Sequence, residues 1–221
     1  MAFLNSANLP DMIADYIANK IIKIEYKPGD RIVESKIAKE LKVSHSPIRE
    51  ALRMLEKYRL VEHIPRKGTY VTDLQEDSVE SLADIVTELL VLIAKKAIKN
   101  ADHNDIEKIN NIIVTAIAPA TENDKDGYYN SVVEFAFACL DSAKDKLLTE
   151  IIFELIPGIR RLLYLSLTFH EAGLTENAAL LCDGGKALND RNVKKAERVL
   201  RKWLAIQKDN TLKGLKEGEF F

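Results

Sequence analysis

Residues 27–71 read KPGDRIVESKIAKELKVSHSPIREALRMLEKYRLVEHIPRKGTYV, and this run decides the fold of the first third of the chain. Glu34 to Leu41 forms a short helical pattern with Ile37, Ala38 and Leu41 on one side. Lys42-Val43-Ser44 connects it to a second pattern, in which Ile48, Ala51, Leu52 and Leu55 share a face and Arg49, Arg53 and Glu56 lie opposite, ending near Lys57. Ser44 or Ser46 can cap that helix by accepting a backbone N–H, and Pro47 falls in its first turn, where a missing N–H costs nothing. Val61–Ile64 and Thr69–Val71 are β-prone and flank Pro65-Arg66-Lys67-Gly68, which can close a hairpin.

Upstream, residues 9–24 read as an amphipathic helix on Ile13, Ile17, Ile21 and Ile24, with Asn8 as N-cap and Pro10 and Asp11 in the first turn. Three helices followed by a hairpin with a basic tip is the element order of a winged helix. Beyond about Gln75 the periodicity is helical throughout: 76–99, 103–117, 125–143, 145–168, 175–189 and 192–216. Pro119, Gly127, Pro157, Gly173 and Gly184-Gly185 punctuate these patterns, and Pro157, inside an apolar helix, predicts a kink. The expected fold class is mainly α, with a winged helix-turn-helix over 1–74 and an antiparallel helical bundle over 75–221.

Composition narrows the function classes. At 47% hydrophobic and 30% charged residues, the chain of 221 residues has the make-up of an ordinary globular protein, which excludes extended disorder. No apolar run approaches the ~20 residues of a membrane span, and no signal-peptide pattern opens the chain, so a cytoplasmic location is the default expectation. The two cysteines, Cys139 and Cys182, form no CxxC and argue against a disulfide scaffold or zinc knuckle. They read as small buried hydrophobes or as a redox pair. The net charge of −2 hides an asymmetry: residues 1–74 hold 13 Lys/Arg against 10 Asp/Glu, and residues 75–221 hold 19 against 24. A basic front on an acidic back fits a nucleic-acid-facing head on a separate body.

The chemistry of the run agrees. A helix fits the DNA major groove, where its N-terminal side chains meet base edges, while Lys and Arg on phosphates supply most of the affinity. Ser44, His45 and Ser46 are short polar groups at such an N-terminus, Arg49 is a fork for guanine or phosphate, and Arg66-Lys67-Gly68 can bring cations and bare backbone to the minor groove.

PG-x-R at 28–31, E-S-x-I-A-x-x-L at 34–41, V-S-x-S-P-I-R-E-A-L at 43–52 and R-K-G at 66–68 resemble the DNA-binding domain of GntR-family bacterial transcription regulators. The helical remainder resembles, less specifically, the FCD effector domain of the FadR subfamily. The resemblance implies that Arg31, Ser44, His45, Ser46 and Arg49 face DNA, with the wing around Gly68. Two departures stand out: His45 and Arg59 occupy positions where the family commonly has Arg and Gly. A left-handed helix end at Arg59 would be strained.

Many FCD domains hold a divalent metal through one Asp and three His, the first two from D-x-x-F-H. The matching positions here are Glu134, Ala138, Leu181 and Trp203, so three of the four ligands are missing. His103, His170, His45 and His63 offer no i, i+4 pair, and no metal and no cofactor are expected. The family's Arg and Glu for carboxylate effectors correspond to Thr87 and Val91, beside the apolar run Leu89–Ile93. The body is then read either as a cavity for a more apolar effector, such as an acyl group with Thr87, Glu134, Arg160, Arg161 or Tyr164 at its polar end, or as a cavity filled by side chains.

An enzyme is excluded on the sequence: there is no nucleophile–base pair, and Asp183-Gly184-Gly185-Lys186 lacks the spacing of a phosphate loop. The expected function is an effector-controlled, homodimeric DNA-binding regulator acting as a repressor on double-stranded operator DNA. The alternative is a winged-helix protein that works through protein contacts.

Overall fold

The computed structural model describes residues 8–169 and 173–218, which leaves His170 outside the described residues. The head runs α1 (Leu9–Ile22), β1 (Arg31–Ile32), α2 (Glu34–Leu41), α3 (His45–Lys57), β2 (Val61–Ile64) and β3 (Gly68–Val71). The body follows as α4 (Glu76–Asn100), α5 (His103–Thr121), α6 (Lys125–Ala143), α7 (Lys146–Thr168), α8 (Leu174–Asn189) and α9 (Val193–Lys216). The mainly helical reading, with a winged helix first and a helical domain after it, is what the chain adopts.

In the head, Ile13, Ile17 and Ile21 from α1 bury against Ile37, Ile48, Leu52 and Leu55 from α2 and α3. Burying each such side chain contributes about 1.5–3 kcal/mol. Asn8 caps α1 by accepting from the Asp11 N–H at 3.1 Å, as the sequence predicts. Ser44 holds the N-cap position of α3 but makes no side-chain capping bond. The sheet is antiparallel with order β1-β3-β2. Its two-residue edge strand β1 is absent from the sequence reading because two residues carry no alternation to detect. Ile64 pairs with Gly68 to close the wing over Pro65-Arg66-Lys67, with Lys67 N–H bonded to Ile64 O at 3.0 Å. Pro at the first central position and φ +66° at Arg66 are the pattern of a type II turn.

Three of the sequence breakers do not break. Gly184-Gly185 lies inside α8, because α8 presses on α5 there: a Cβ at Gly185 would stand 2.3 Å from Ile113 Cδ1. Likewise α5 continues past Pro119 to Thr121, beyond the expected end at 117. Helix α7 is one element through Pro157, which removes only the helical bond to the carbonyl of Phe153. Arg191, itself exposed, stitches the end of α4, donating to the carbonyls of Ile98 and, at 2.7 Å, Ala101. Among the described residues no helix is long and apolar enough to cross a membrane.

Candidate nucleic-acid interface and helical cavity

The first cluster of candidate residues lies on one face of the head. Ser44, His45, Ser46 and Arg49 open α3, and all four are exposed. Glu34, the first residue of α2, gathers two of them: Arg49 Nε donates to its Oε2 at 2.9 Å, and His45 Nδ1 lies 3.5 Å from the same oxygen. Glu34 has no place in the sequence reading beyond starting a helix. Its role comes from the way α2 and α3 cross. Arg31, on β1, lies along the wing: a Cβ added at Gly68 would meet Arg31 Nε at 3.3 Å. With φ +112° as well, Gly68 is fixed both by its backbone and by the guanidinium that fills the space of its missing side chain. Arg66 and Lys67 form the exposed tip. Arg59 takes φ +56°, the left-handed conformation that the family's glycine would hold without strain.

The second set divides. Helices α4, α6, α7 and α9 enclose a cavity of about 130 Å³, which adjoins a second of about 120 Å³ reaching α8. Trp203, Leu90, Val132 and Ala136 belong to both walls. Of the five effector candidates, Thr87 and Arg160 line the larger lobe. Thr87 turns its hydroxyl onto its own helix, donating to Ala83 O at 2.7 Å. Glu134 does not reach either lobe; it is exposed, in a shallow groove against α5. The inward residues of α6 four apart are Val132 and Ala136, two positions before the pair Glu134 and Ala138 taken from sequence. Leu181 and Trp203, the other two positions of the family's metal set, do wall the second lobe. The four positions that converge there are therefore all apolar. Among the described residues no three His, Cys, Asp or Glu side chains converge as a metal site.

Arg161 and Tyr164 also miss the cavity, and with Arg160 they form a seam between head and body. Both arginines are buried, 8% and 4% exposed, but only Arg160 of the two lines the cavity. One residue around a helix is a turn of about 100°, so the two arginines leave α7 in different directions. Arg160 Nε donates to Tyr129 Oη at 2.8 Å, and its Nη2 donates to Asn19 Oδ1 on α1 at 3.0 Å. Arg161 grips Thr72, just past β3, with Nη1 donating to the hydroxyl and Nη2 to the carbonyl, each at 3.0 Å. Burial pushes the Arg161 pKa down to about 10, which still leaves it charged at neutral pH. Tyr164 donates to Asp126 at 2.9 Å, and Lys23, just past α1, donates to the other Asp126 oxygen at 2.6 Å. These bonds, Lys23 first, hold the Asp126 carboxyl below its usual range against partial burial. Sequence reasoning passed over Asn19, Lys23, Thr72 and Asp126.

Comparison with known proteins bears on both regions. Residues 9–71 match the model of the bacterial regulatory proteins of the gntR family. The chain is 40% identical over 81 residues to the uncharacterized HTH-type transcriptional regulator YdhC of Bacillus subtilis, covering 37% of this chain and 36% of that one. It is 27% identical over 142 residues to the HTH-type transcriptional regulator LutR of the same organism, covering 56% and 63%. The chain thus matches about a third of the length of the first relative and less than two-thirds of the second. The fold as a whole resembles that of E. coli McbR/YncC, with a TM-score of 0.79 at 17% identity, over 90% of this chain and 94% of that one. Family match, element order and wing geometry agree: residues 9–71 form a winged helix-turn-helix that matches the gntR-family model.

Proposed function

We propose that this chain is a sequence-specific DNA-binding transcription regulator, a repressor that works in the cytoplasm as a homodimer under the control of a small organic effector. The observation that carries the reading is the exposed N-terminus of α3, with Ser44, His45, Ser46 and Arg49 beside the Arg31–Gly68 wing. Side chains so placed meet base edges while the wing and Arg66 and Lys67 follow the backbone. Residues 1–74 act as the DNA-binding unit and 75–221 as the effector and dimerisation unit.

Exposed Ile85 and Leu92 on α4 and exposed Leu147 and Ile151 on α7 support the homodimer. The two helices pack side by side, with Lys96 of α4 paired to Asp145 at the start of α7 at 2.7 Å. A second copy covering this apolar face would set two heads on the two half-sites of a pseudo-palindrome. The effector reading rests on the paired lobes, whose walls are almost wholly apolar and suit an alkyl, aryl or acyl group. The effector would favour one arrangement of the heads and thereby change operator affinity.

Anisotropy titration against DNA from the chain's own upstream region and against random DNA, across salt concentrations, tests the central claim. The expected result is salt-dependent binding with a clear preference for the upstream fragment. Equal affinity for both at every salt concentration would sink it. Arg49→Glu separates this function from one through protein contacts, since it abolishes DNA binding only if α3 reads DNA.

A further inference from the structure

Arg160 belongs to two places at once. Its side chain is part of the wall of the larger lobe, and its guanidinium holds Asn19 of the head and Tyr129 of α6. Around it the seam continues through the edge-on pair of Tyr129 and Tyr164, whose rings stand 5.3 Å apart, to the Lys23–Asp126 ion pair. Ile24, immediately after α1, completes the joint. It takes φ +63°, a conformation a β-branched residue adopts only under constraint. Its side chain packs with the body residues Val79, Leu165 and Leu215. The head is thus held by hydrogen bonds at one end of α1 and by a strained apolar wedge beside them.

A buried guanidinium must keep its hydrogen bonds satisfied, because an uncompensated charge in the interior is strongly unfavourable. An acceptor oxygen entering the larger lobe would compete with Asn19 for the same donors. A carboxylate oxygen forms a stronger, charge-assisted bond than the neutral amide of Asn19. We propose that Arg160 is an interlock between effector and head: an amphiphile with its apolar part in the lobes and its acceptor oxygen on Arg160 draws the guanidinium off Asn19 and frees α1 from α7. This rests on the reading of the cavity as the effector site and adds to it the residue through which occupancy reaches the head. Arg160 is then a positioning residue for the head, and Asn19 its partner across the seam.

Two native reporters make the idea testable on the full chain. Trp203, the single tryptophan, stands between the lobes and reports occupancy by fluorescence. The Ile24 δ1 methyl reports the seam by methyl NMR, with Ile48 and Ile109 as reporters of head and body cores. The probe is octanoate, with octanol as its uncharged counterpart. In Asn19→Ala and Arg160→Met the expected result is a shifted, exchange-broadened Ile24 signal with Ile48 and Ile109 unmoved. In the unaltered chain octanoate shifts Trp203 emission and moves Ile24 the same way, while octanol changes Trp203 alone. By linkage, Asn19→Ala binds octanoate roughly fivefold to tenfold more tightly, because Arg160 no longer has to leave a partner. An Ile24 signal unmoved in both variants overturns the interlock. So does octanoate that shifts Trp203 and leaves Ile24 in place, a result under which the cavity reading survives. Octanoate and octanol that both leave Trp203 unchanged overturn the cavity reading, and the interlock with it.

Discussion

Arg49 and Arg161 carry the same charge in two opposite settings. The Arg49 side chain is 66% exposed and holds one carboxylate across the outer face of the head. Arg161 is buried between head and body, and its guanidinium donates twice to one residue, Thr72. An exposed arginine is inexpensive to hold and easily moved to a new partner, which is what a phosphate or a guanine edge requires. A buried one is held in a single geometry by donors that must all be used. The outer face is therefore built to exchange partners and the seam to keep them, and the proposed function uses both: one surface to meet DNA and one joint to transmit a change to it.

Substitutions can break this contrast. Arg161→Ala should have the largest effect on stability, about 2–4 kcal/mol, because it leaves the Thr72 carbonyl buried without its donor and opens a void beside α7. Urea unfolding of the full chain measures it, and a loss under about 0.5 kcal/mol would show that the seam is not the rigid element. Arg49→Ala should cost about 1–3 kcal/mol of DNA affinity and leave the unfolding midpoint almost unchanged, since exposed ion pairs contribute little. Parallel anisotropy and urea titrations read both, and a stability loss equal to the affinity loss would contradict the assignment of Arg49 to the outer face.

Gly68→Ala should weaken DNA binding by roughly 1 kcal/mol, because the new Cβ meets Arg31 at a backbone angle that disfavours any side chain. Anisotropy titration reads it, and the same substitution compared within an Arg31→Ala background should cost less, since only the backbone strain then remains to separate the double variant from Arg31→Ala alone. The smallest effect is that of acid on the seam. The folded Asp126 carboxyl lies below its usual value, so its contribution is complete above the ordinary aspartate range and is lost as pH falls through the lowered value. Asp126→Asn should flatten the pH dependence of head docking in that acid window and leave it unaltered near neutrality, with the Ile24 methyl signal as the readout.

The Arg161 seam and the Arg49 face also differ in how far the sequence disclosed them. The residues of the outer face lie within one continuous run, and their roles follow from helix period, capping and turn chemistry, all local. The seam brings Asn19, Thr72, Tyr129 and Arg160 together from positions scattered over the chain, and no spacing rule joins them. The cavity shows the same limit. The apolar character of α4 was readable, but the inward register of α6 was not, and Glu134 fell two residues off the face that Val132 and Ala136 present.

The sequence by itself determined the elements of this protein: nearly every helix boundary, the wing and the polar set that opens α3. These depend on backbone sterics and on hydrogen bonds between near neighbours, and such forces act over a few residues. Only the tertiary structure decided where the charges of α7 go, why Gly185 can sit inside a helix, and which residues wall the lobes around Trp203. Those outcomes depend on the angle at which one helix crosses another, and that angle is set by the packing of all the side chains together.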